Sequence, residues 1–250
     1  LTLLVGIYQL EKEWRLAITC TEELLTHSAF RRDAEWNARA VHYHCELAER
    51  LLVEGQLSEA RRKLRKGAEF QRHHLRGSLL MARLEHESGN FNAVFRDCRR
   101  IAEHSPRFLT QLLDLMAASY SKLGRDGEFI KFLNGFIDKR ADPVALQLMS
   151  RLISETEGVG RAIQFLRRHL VAQPSLAAAA HLLEFEADSK QFDSAMLSDI
   201  EKIREVLLTH LANQLGFQCS YCGYEARQLH WLCPGCHRWD SIQPKLESGR

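Results

Sequence analysis

The stretch EGQLSEARRKL, residues 54–64, decides the fold of this 250-residue chain, because similar stretches follow it at a nearly constant spacing. A glycine near its start is followed by apolar residues three and four positions apart, which predicts a tight turn and then a short amphipathic helix. The later copies are SGNFNAVFRDC at 88–98, LGRDGEFIKFL at 123–133 and EGVGRAIQFLR at 157–167. With Ala60 as the reference position, steps of 34 residues reach Val94, Glu128, Ala162 and Met196.

Turn residues keep the same phase as the copies. Gly55, Gly89, Gly124 and Gly158 stay within one residue of register, and Pro106 and Pro174 follow the reference positions by 12 residues, where a second helix should end. An earlier copy at 6–25 fits with Ala17 as reference, which implies an insertion between Phe30 and Glu35. A 34-residue period of helix pairs resembles the tetratricopeptide repeat family. The resemblance implies a mainly α fold, an α-solenoid with a concave inner surface.

The first helix of each pair lines the concave surface in that family. If the units begin at Val41, Leu75, Leu109 and Pro143, their second, fifth, ninth and twelfth positions point inward. The candidate partner-binding residues are eight of the polar and aromatic residues at these positions: His42, Glu49, Arg76, Arg83, His86, Tyr120, Gln147 and Arg151. The arginines among them could bind an acidic or extended peptide through charge-assisted hydrogen bonds, or they could simply belong to a solvated face.

Basic residues are concentrated between residues 59 and 77. Seven Lys and Arg face two Glu there, a net charge of +5, whereas the whole chain carries only +2. Such a run could bind an anionic membrane surface or an acidic partner, or it could be the hydrated side of an amphipathic helix. The small total charge argues against a general attraction to nucleic acid.

Cysteine placement divides the chain. Seven cysteines cannot all be paired in disulfides, and Cys20, Cys45 and Cys98 fit as small buried residues of helices. The other four lie in the segment FQCSYCGYEARQLHWLCPGCHRWDSIQPK, residues 217–245, as two Cys-x2-Cys pairs. No secretory signal is visible, so these thiols indicate a reducing compartment.

Two Cys-x2-Cys pairs separated by ten residues predict a metal site. Each pair can form a tight turn, here called a knuckle, and two facing knuckles supply four thiolates in a tetrahedron. The predicted ligands of one iron or zinc ion are Cys219, Cys222, Cys233 and Cys236. His230 and His237 are expected beside the site rather than in it. Four protein ligands leave no open position for metal-assisted hydrolysis.

The spacing and the surrounding aromatic residues of this tail resemble rubredoxin, although His237 stands where rubredoxins have glycine. We therefore predict a repeat solenoid over residues 1–214 and a rubredoxin-like metal-binding domain over 215–245. A long helix from about Ser194 to Leu215 enters the knuckles without a flexible linker, which predicts a rigid junction.

Helical repeats followed by a rubredoxin-like tail resemble the lipopolysaccharide assembly protein B family of Gram-negative bacteria. The resemblance implies a non-enzymatic adaptor that presents the lipid A pathway deacetylase to a membrane-bound AAA+ protease and is restrained by an inner-membrane sensor protein. It implies a location on the cytoplasmic face of the inner membrane, through an N-terminal anchor that this sequence lacks. The chain opens on Leu rather than Met and is expected to be a soluble fragment.

Composition leaves two other functions open. With 45% hydrophobic and 26% charged residues, the chain is an ordinary globular protein. A zinc-ribbon nucleic-acid-binding scaffold would use the tail's aromatic residues for stacking, but residues 201–250 carry six basic and five acidic residues, a poor match for phosphate binding. A rubredoxin-like electron carrier would need iron in the knuckles. The sequence has no phosphate-binding glycine loop and no hydrolase motif, so we do not expect an enzyme.

Overall fold

The computed structural model describes residues 1–139, 142–188, 192–214 and 216–245, with the backbone alone for 212–214. The chain divides into two compact units, Leu1–Ser119 and Tyr120–Arg250. The described residues form twelve α-helices, one 3-10 segment and three short strands. The mainly α fold with a small cysteine-containing sheet near the end of the chain is therefore confirmed.

The first unit contains helices that pack on their neighbours in sequence. Its elements are α1 (Thr2–Leu10), α2 (Trp14–Thr26), α3 (Ala34–Val53), α4 (Leu57–Phe70), α5 (Leu75–Glu87), α6 (Phe91–His104) and a 3-10 segment (Pro106–Leu112). Helix α7 (Leu113–Lys122) contains the boundary between the units. The expected insertion between Phe30 and Glu35 falls on the loop between α2 and α3 and the first residues of α3.

The second unit continues with helices and ends in the sheet. Its elements are α8 (Asp126–Lys139), α9 (Pro143–Glu157), α10 (Val159–Ala172), α11 (Leu176–Asp188), α12 (Ser194–Gln214), β1 (Phe217–Cys219), β2 (Glu225–Ala226) and β3 (Ile242–Pro244). The predicted domain boundary and rigid junction fall at Leu215, which lies outside the described residues, and both stay predictions.

Glycine turns and polar caps explain where the helices begin and end. Gly55, Gly89 and Gly124 have φ of +73°, +75° and +65°, a left-handed conformation that costs other residues energy, so the chain reverses there. The Asp142 carboxylate accepts hydrogen bonds from the backbone N–H groups of Val144 (3.1 Å) and Ala145 (2.9 Å) and caps α9. The predicted glycine turns are confirmed.

The core register agrees with the 34-residue steps at three positions and departs from them at two. Ala60, Val94 and Ala162 are completely buried, but Glu128 is exposed and Phe129 occupies the core in its place. The reason is one extra residue between the glycine turns at 89 and 124, so that Phe129, like Ala60, follows its turn glycine by five positions. The other predicted reference residue, Met196, is 51% exposed and does not belong to the core.

No helix among the described residues is long and apolar enough to cross a membrane.

Candidate metal centre

The three strands place the first cysteine at the end of a central strand. Strand β1 lies between β2 and β3 and is antiparallel to both. Phe217 pairs with Ala226 on one side, and Cys219 pairs with Ile242 on the other. The first knuckle is the turn that connects β1 to β2. The second is closed by an antiparallel bridge between Leu232 and Trp239.

The two knuckles have the same backbone hydrogen bonds. In the first, the Gly223 N–H donates to the Cys219 carbonyl (3.0 Å) and the Cys219 N–H donates to the Tyr224 carbonyl (2.8 Å). In the second, the His237 N–H donates to the Cys233 carbonyl (2.9 Å) and the Cys233 N–H donates to the Arg238 carbonyl (3.0 Å). The repeated geometry turns both cysteine pairs toward one point.

The four sulfurs have the spacing of a tetrahedral metal site. All four Sγ atoms lie within 4.8 Å of one another, with 3.7 Å between Cys219 and Cys236 and 3.6 Å between Cys222 and Cys233. A metal–sulfur bond of about 2.3 Å gives a tetrahedron with edges of about 3.8 Å. A disulfide would bring two sulfurs to about 2.05 Å, so these distances fit thiols around one ion. Zinc and iron fit equally well.

Hydrogen bonds and neighbouring thiols divide the charge between the first two cysteines. The Ser241 hydroxyl, helped by the backbone N–H groups of Cys222 and Tyr221, lowers the pKa of Cys219 to about 6. The backbone N–H of Tyr224 favours a Cys222 thiolate, but burial and the three neighbouring sulfurs outweigh it and raise the pKa of Cys222 to about 12. Without a cation, these two shifts favour a thiolate at Cys219 and a neutral thiol at Cys222. A bound divalent ion would supply the positive charge that stabilises the other thiolates.

Little apolar packing surrounds the sulfurs. Cys219, Cys233 and Ile242 are at most 2% exposed, and Phe217 and Leu229 pack partly buried against them. On the exposed side, the Arg238 guanidinium lies 3.5 Å from the centre of the Tyr221 ring, a cation–π contact. So small a core makes a metal the main expected source of folding energy for this segment.

His237 takes a left-handed backbone conformation, which glycine adopts at less cost. Its φ is +56°, close to the +75° of Gly223 in the first knuckle. The cluster of sulfurs includes neither His237 nor His230. The glycine difference from rubredoxin therefore leaves the turn in place, with a side chain in a strained conformation.

We expect His237→Gly to strengthen the second knuckle by about 0.5–1 kcal/mol, because glycine adopts positive φ without the steric cost that histidine bears, and this outweighs its larger unfolded-state entropy. The midpoint of urea-induced metal release should move upward. Gly223→Ala, at the matching position of the first knuckle, should move the midpoint downward. An unchanged midpoint for both variants would contradict the strain argument.

The sequence analysis did not identify two residues that support functional or buried charged groups, Ser241 and Glu46. Ser241 lies 22 residues after Cys219 in the sequence and supports that cysteine only because β3 pairs with β1. Glu46 lies 2.9 Å from Arg76, with Oε1 against Nη1. No local pattern marks either residue, since both contacts arise from tertiary packing.

The predicted partner-binding residues differ in their accessibility. His42, Arg76 and Tyr120 are at most 3% exposed, so the prediction that they line an accessible groove is wrong for these three. They pack inside because neighbouring elements cover them, as the His42 ring against the His74 ring at 4.4 Å illustrates. Glu49, His86 and Gln147 are half-buried, and Arg83 and Arg151 are exposed. A role for these five in partner binding stays a prediction.

Glu49 and Arg76, two members of the predicted set, contact each other. Glu49 Oε2 lies 2.6 Å from Arg76 Nη2, so Glu49 forms an ion pair with the buried Arg76 and is not a free acceptor. His86 Nδ1 lies 2.7 Å from the Ser119 hydroxyl, so its polar edge is also engaged.

Known proteins resemble the chain at two levels. Residues 217–244 match a family model described as a rubredoxin metal binding domain. Proteins named lipopolysaccharide assembly protein B from Escherichia coli (strain K12) and Haemophilus influenzae are 24% identical over 241 residues and 27% identical over 243 residues. Each match covers 96% of this chain, but the chain spans only 61% and 59% of the length of these curated relatives. The resemblance predicted from the repeats and the cysteine tail is confirmed over nearly the whole chain.

Proposed function

We propose that this chain acts in lipopolysaccharide assembly as a non-enzymatic adaptor. The observation that carries the proposal is that the similarity to proteins of that name extends over 96% of the chain, repeats and cysteine tail together. In the proposed role, it presents the lipid A pathway deacetylase to a membrane-bound AAA+ protease, and an inner-membrane sensor protein restrains it. Its proposed location is the cytoplasmic face of the bacterial inner membrane.

Two features of the chain support an adaptor. Stacked helix pairs expose long surfaces whose side chains can bind segments of other proteins, which is the common use of repeat folds. The four sulfurs that would hold an ion are also the full ligand set of a tetrahedral metal, so the centre would act as a structural cross-link between β1 and the second knuckle. Exposed Arg83 and Arg151 are suited to binding a carboxylate of a client protein.

Capture from a Gram-negative bacterial lysate tests the adaptor function. We expect the immobilised chain to retain the deacetylase or the AAA+ protease, identified by mass, and Cys219→Ser/Cys222→Ser to retain much less because the tail loses its metal. Cys20→Ser is the matched control, since Cys20 is half-buried in α2 and is not one of the clustered sulfurs. Equal retention by all three proteins would place the binding surface in the repeats. Retention of neither protein by the unmodified chain would contradict the proposal.

A further inference from the structure

Helices α4 and α6 present cations at the same positions of successive repeats. A step of 34 residues relates Arg62 to Arg96, Arg65 to Arg99 and Lys66 to Arg100. These six residues, here called the basic face, are exposed except for half-buried Arg100. Both helices lie in the first unit, all of whose residues the structure describes.

Contacts link α4 to the end of α5 and the segment after α4 to the end of α6. Arg61 of α4 forms an ion pair with Glu85 and lies 3.1 Å from Ser88 Oγ, three residues before α6 begins. Just beyond α4, the His73 ring stacks on His104, the last residue of α6, with 6.5 Å between ring centres. The two helices that carry the six cations are therefore connected through α5 and through the His73–His104 stack within one compact unit.

Three of these six cations form ion pairs with carboxylates of their own helices. Arg62 pairs with Glu59, Lys66 with Glu69 at 2.7 Å, and Arg100 with Asp97 at 3.1 Å. Within the fully described first unit, Arg65, Arg96 and Arg99 have no ion pair. Residues 57–107 contain 12 Lys and Arg against six Asp and Glu, a net +6, although the whole chain has +2. The positive charge of this chain is thus concentrated here.

The basic face has no apolar anchor. Between Val53 and Leu123, a fully described stretch, no large hydrophobic side chain is exposed. Protein interfaces usually depend on a few buried aromatic or aliphatic side chains, which this face does not offer. A fluid anionic lipid surface needs none, because its headgroups move to match the cations and attract each one within a Debye length.

We propose that the basic face docks the first unit onto an anionic lipid surface. The lipid phosphates would contact Arg65, Arg96 and Arg99 first, since these side chains need not give up an existing carboxylate partner. Binding would be electrostatic, reversible and sensitive to salt, with no insertion into the hydrocarbon. This inference does not depend on the proposed adaptor function.

Co-sedimentation of the whole chain with vesicles tests the proposal. We expect binding to vesicles of phosphatidylglycerol and phosphatidylcholine at a ratio of about 1:2, no binding to phosphatidylcholine alone, and release at about 0.5 M NaCl. Arg65→Gln/Arg96→Gln/Arg99→Gln should weaken the binding at least about tenfold. Far-UV circular dichroism verifies that each variant is folded.

The matched control removes the same charge elsewhere in the first unit. Arg15, Arg31 and Arg32 are exposed outside the basic face, and changing all three to Gln should alter vesicle binding less than about twofold. Equal losses of vesicle binding in the two triple variants would show that binding depends only on the net charge of the chain, and would overturn the proposal. Failure of the unmodified chain to bind anionic vesicles would overturn it as well. Binding of poly-L-glutamate without vesicle binding would assign the face to an acidic protein instead.

Discussion

Cys219→Ser/Cys222→Ser is expected to abolish metal binding and unfold the segment 217–244, while the helices keep their circular dichroism. The three strands contain only three, two and three residues, and the fully buried core of the segment consists of Cys219, Cys233 and Ile242. A segment of this size seldom folds without a metal or disulfides. Structural zinc sites contribute roughly 10 kcal/mol or more of binding energy, most of which appears as folding energy.

Metal content and protease resistance measure this effect together. The unmodified protein should contain one metal ion per chain by elemental analysis and should resist cleavage after Arg227 and Arg238, both exposed residues. The double variant should contain none and should be cut at both sites, as should the unmodified protein after removal of its metal by a strong chelator. Cys20→Ser should behave like the unmodified protein. A tail that resists protease after complete metal removal would contradict the argument.

The metal centre could be predicted from the sequence because its geometry is local. Two residues between cysteines fix each turn, so the ligand set could be read from the sequence, and the structure brings the four sulfurs together. The support from Ser241 was not accessible, since it depends on how β3 pairs with β1. His237 differs, because the sequence already places it at a rubredoxin glycine position, and the structure shows that its backbone is left-handed there.

The repeats could be predicted from their turn glycines, but the core positions within them were not all assigned correctly. A turn glycine is required by the backbone conformation of the turn, so it still marks the turn after a residue has been inserted. Counting 34 residues from Ala60 instead places Glu128 where Phe129 belongs. Burial of inward-facing positions was harder to foresee. The spacing of a residue in the sequence shows which side of a helix it lies on, but the neighbouring element determines whether that side is accessible. Arg76 lies on the predicted side and is nevertheless buried.

Arg76→Ala is expected to destabilise the first unit by about 3 kcal/mol, because Arg76 is a buried structural cation. Its side chain is 3% exposed and links α5 to two carboxylates of α3, Glu46 at 2.9 Å and Glu49 at 2.6 Å. Burial alone would lower the pKa of Arg76, but the two carboxylates and Cys45 outweigh it and raise the pKa, so the guanidinium stays charged. Removing it would leave Glu46 and Glu49 repelling each other across one helical turn.

Urea unfolding of four variants separates this structural role from partner binding. Arg83→Ala, on the exposed side of the same helix, should change the free energy of unfolding by less than about 0.5 kcal/mol. Arg76→Lys keeps the charge but loses the two-pronged contact and should cost about 1–2 kcal/mol. Arg76→Met combined with Glu46→Gln and Glu49→Gln should recover most of the loss, since no buried charge is then left uncompensated. If Arg76 bound a partner instead, Arg76→Ala would leave the unfolding curve unchanged and reduce only the capture of that partner. Because this side chain is buried, we expect a loss of stability.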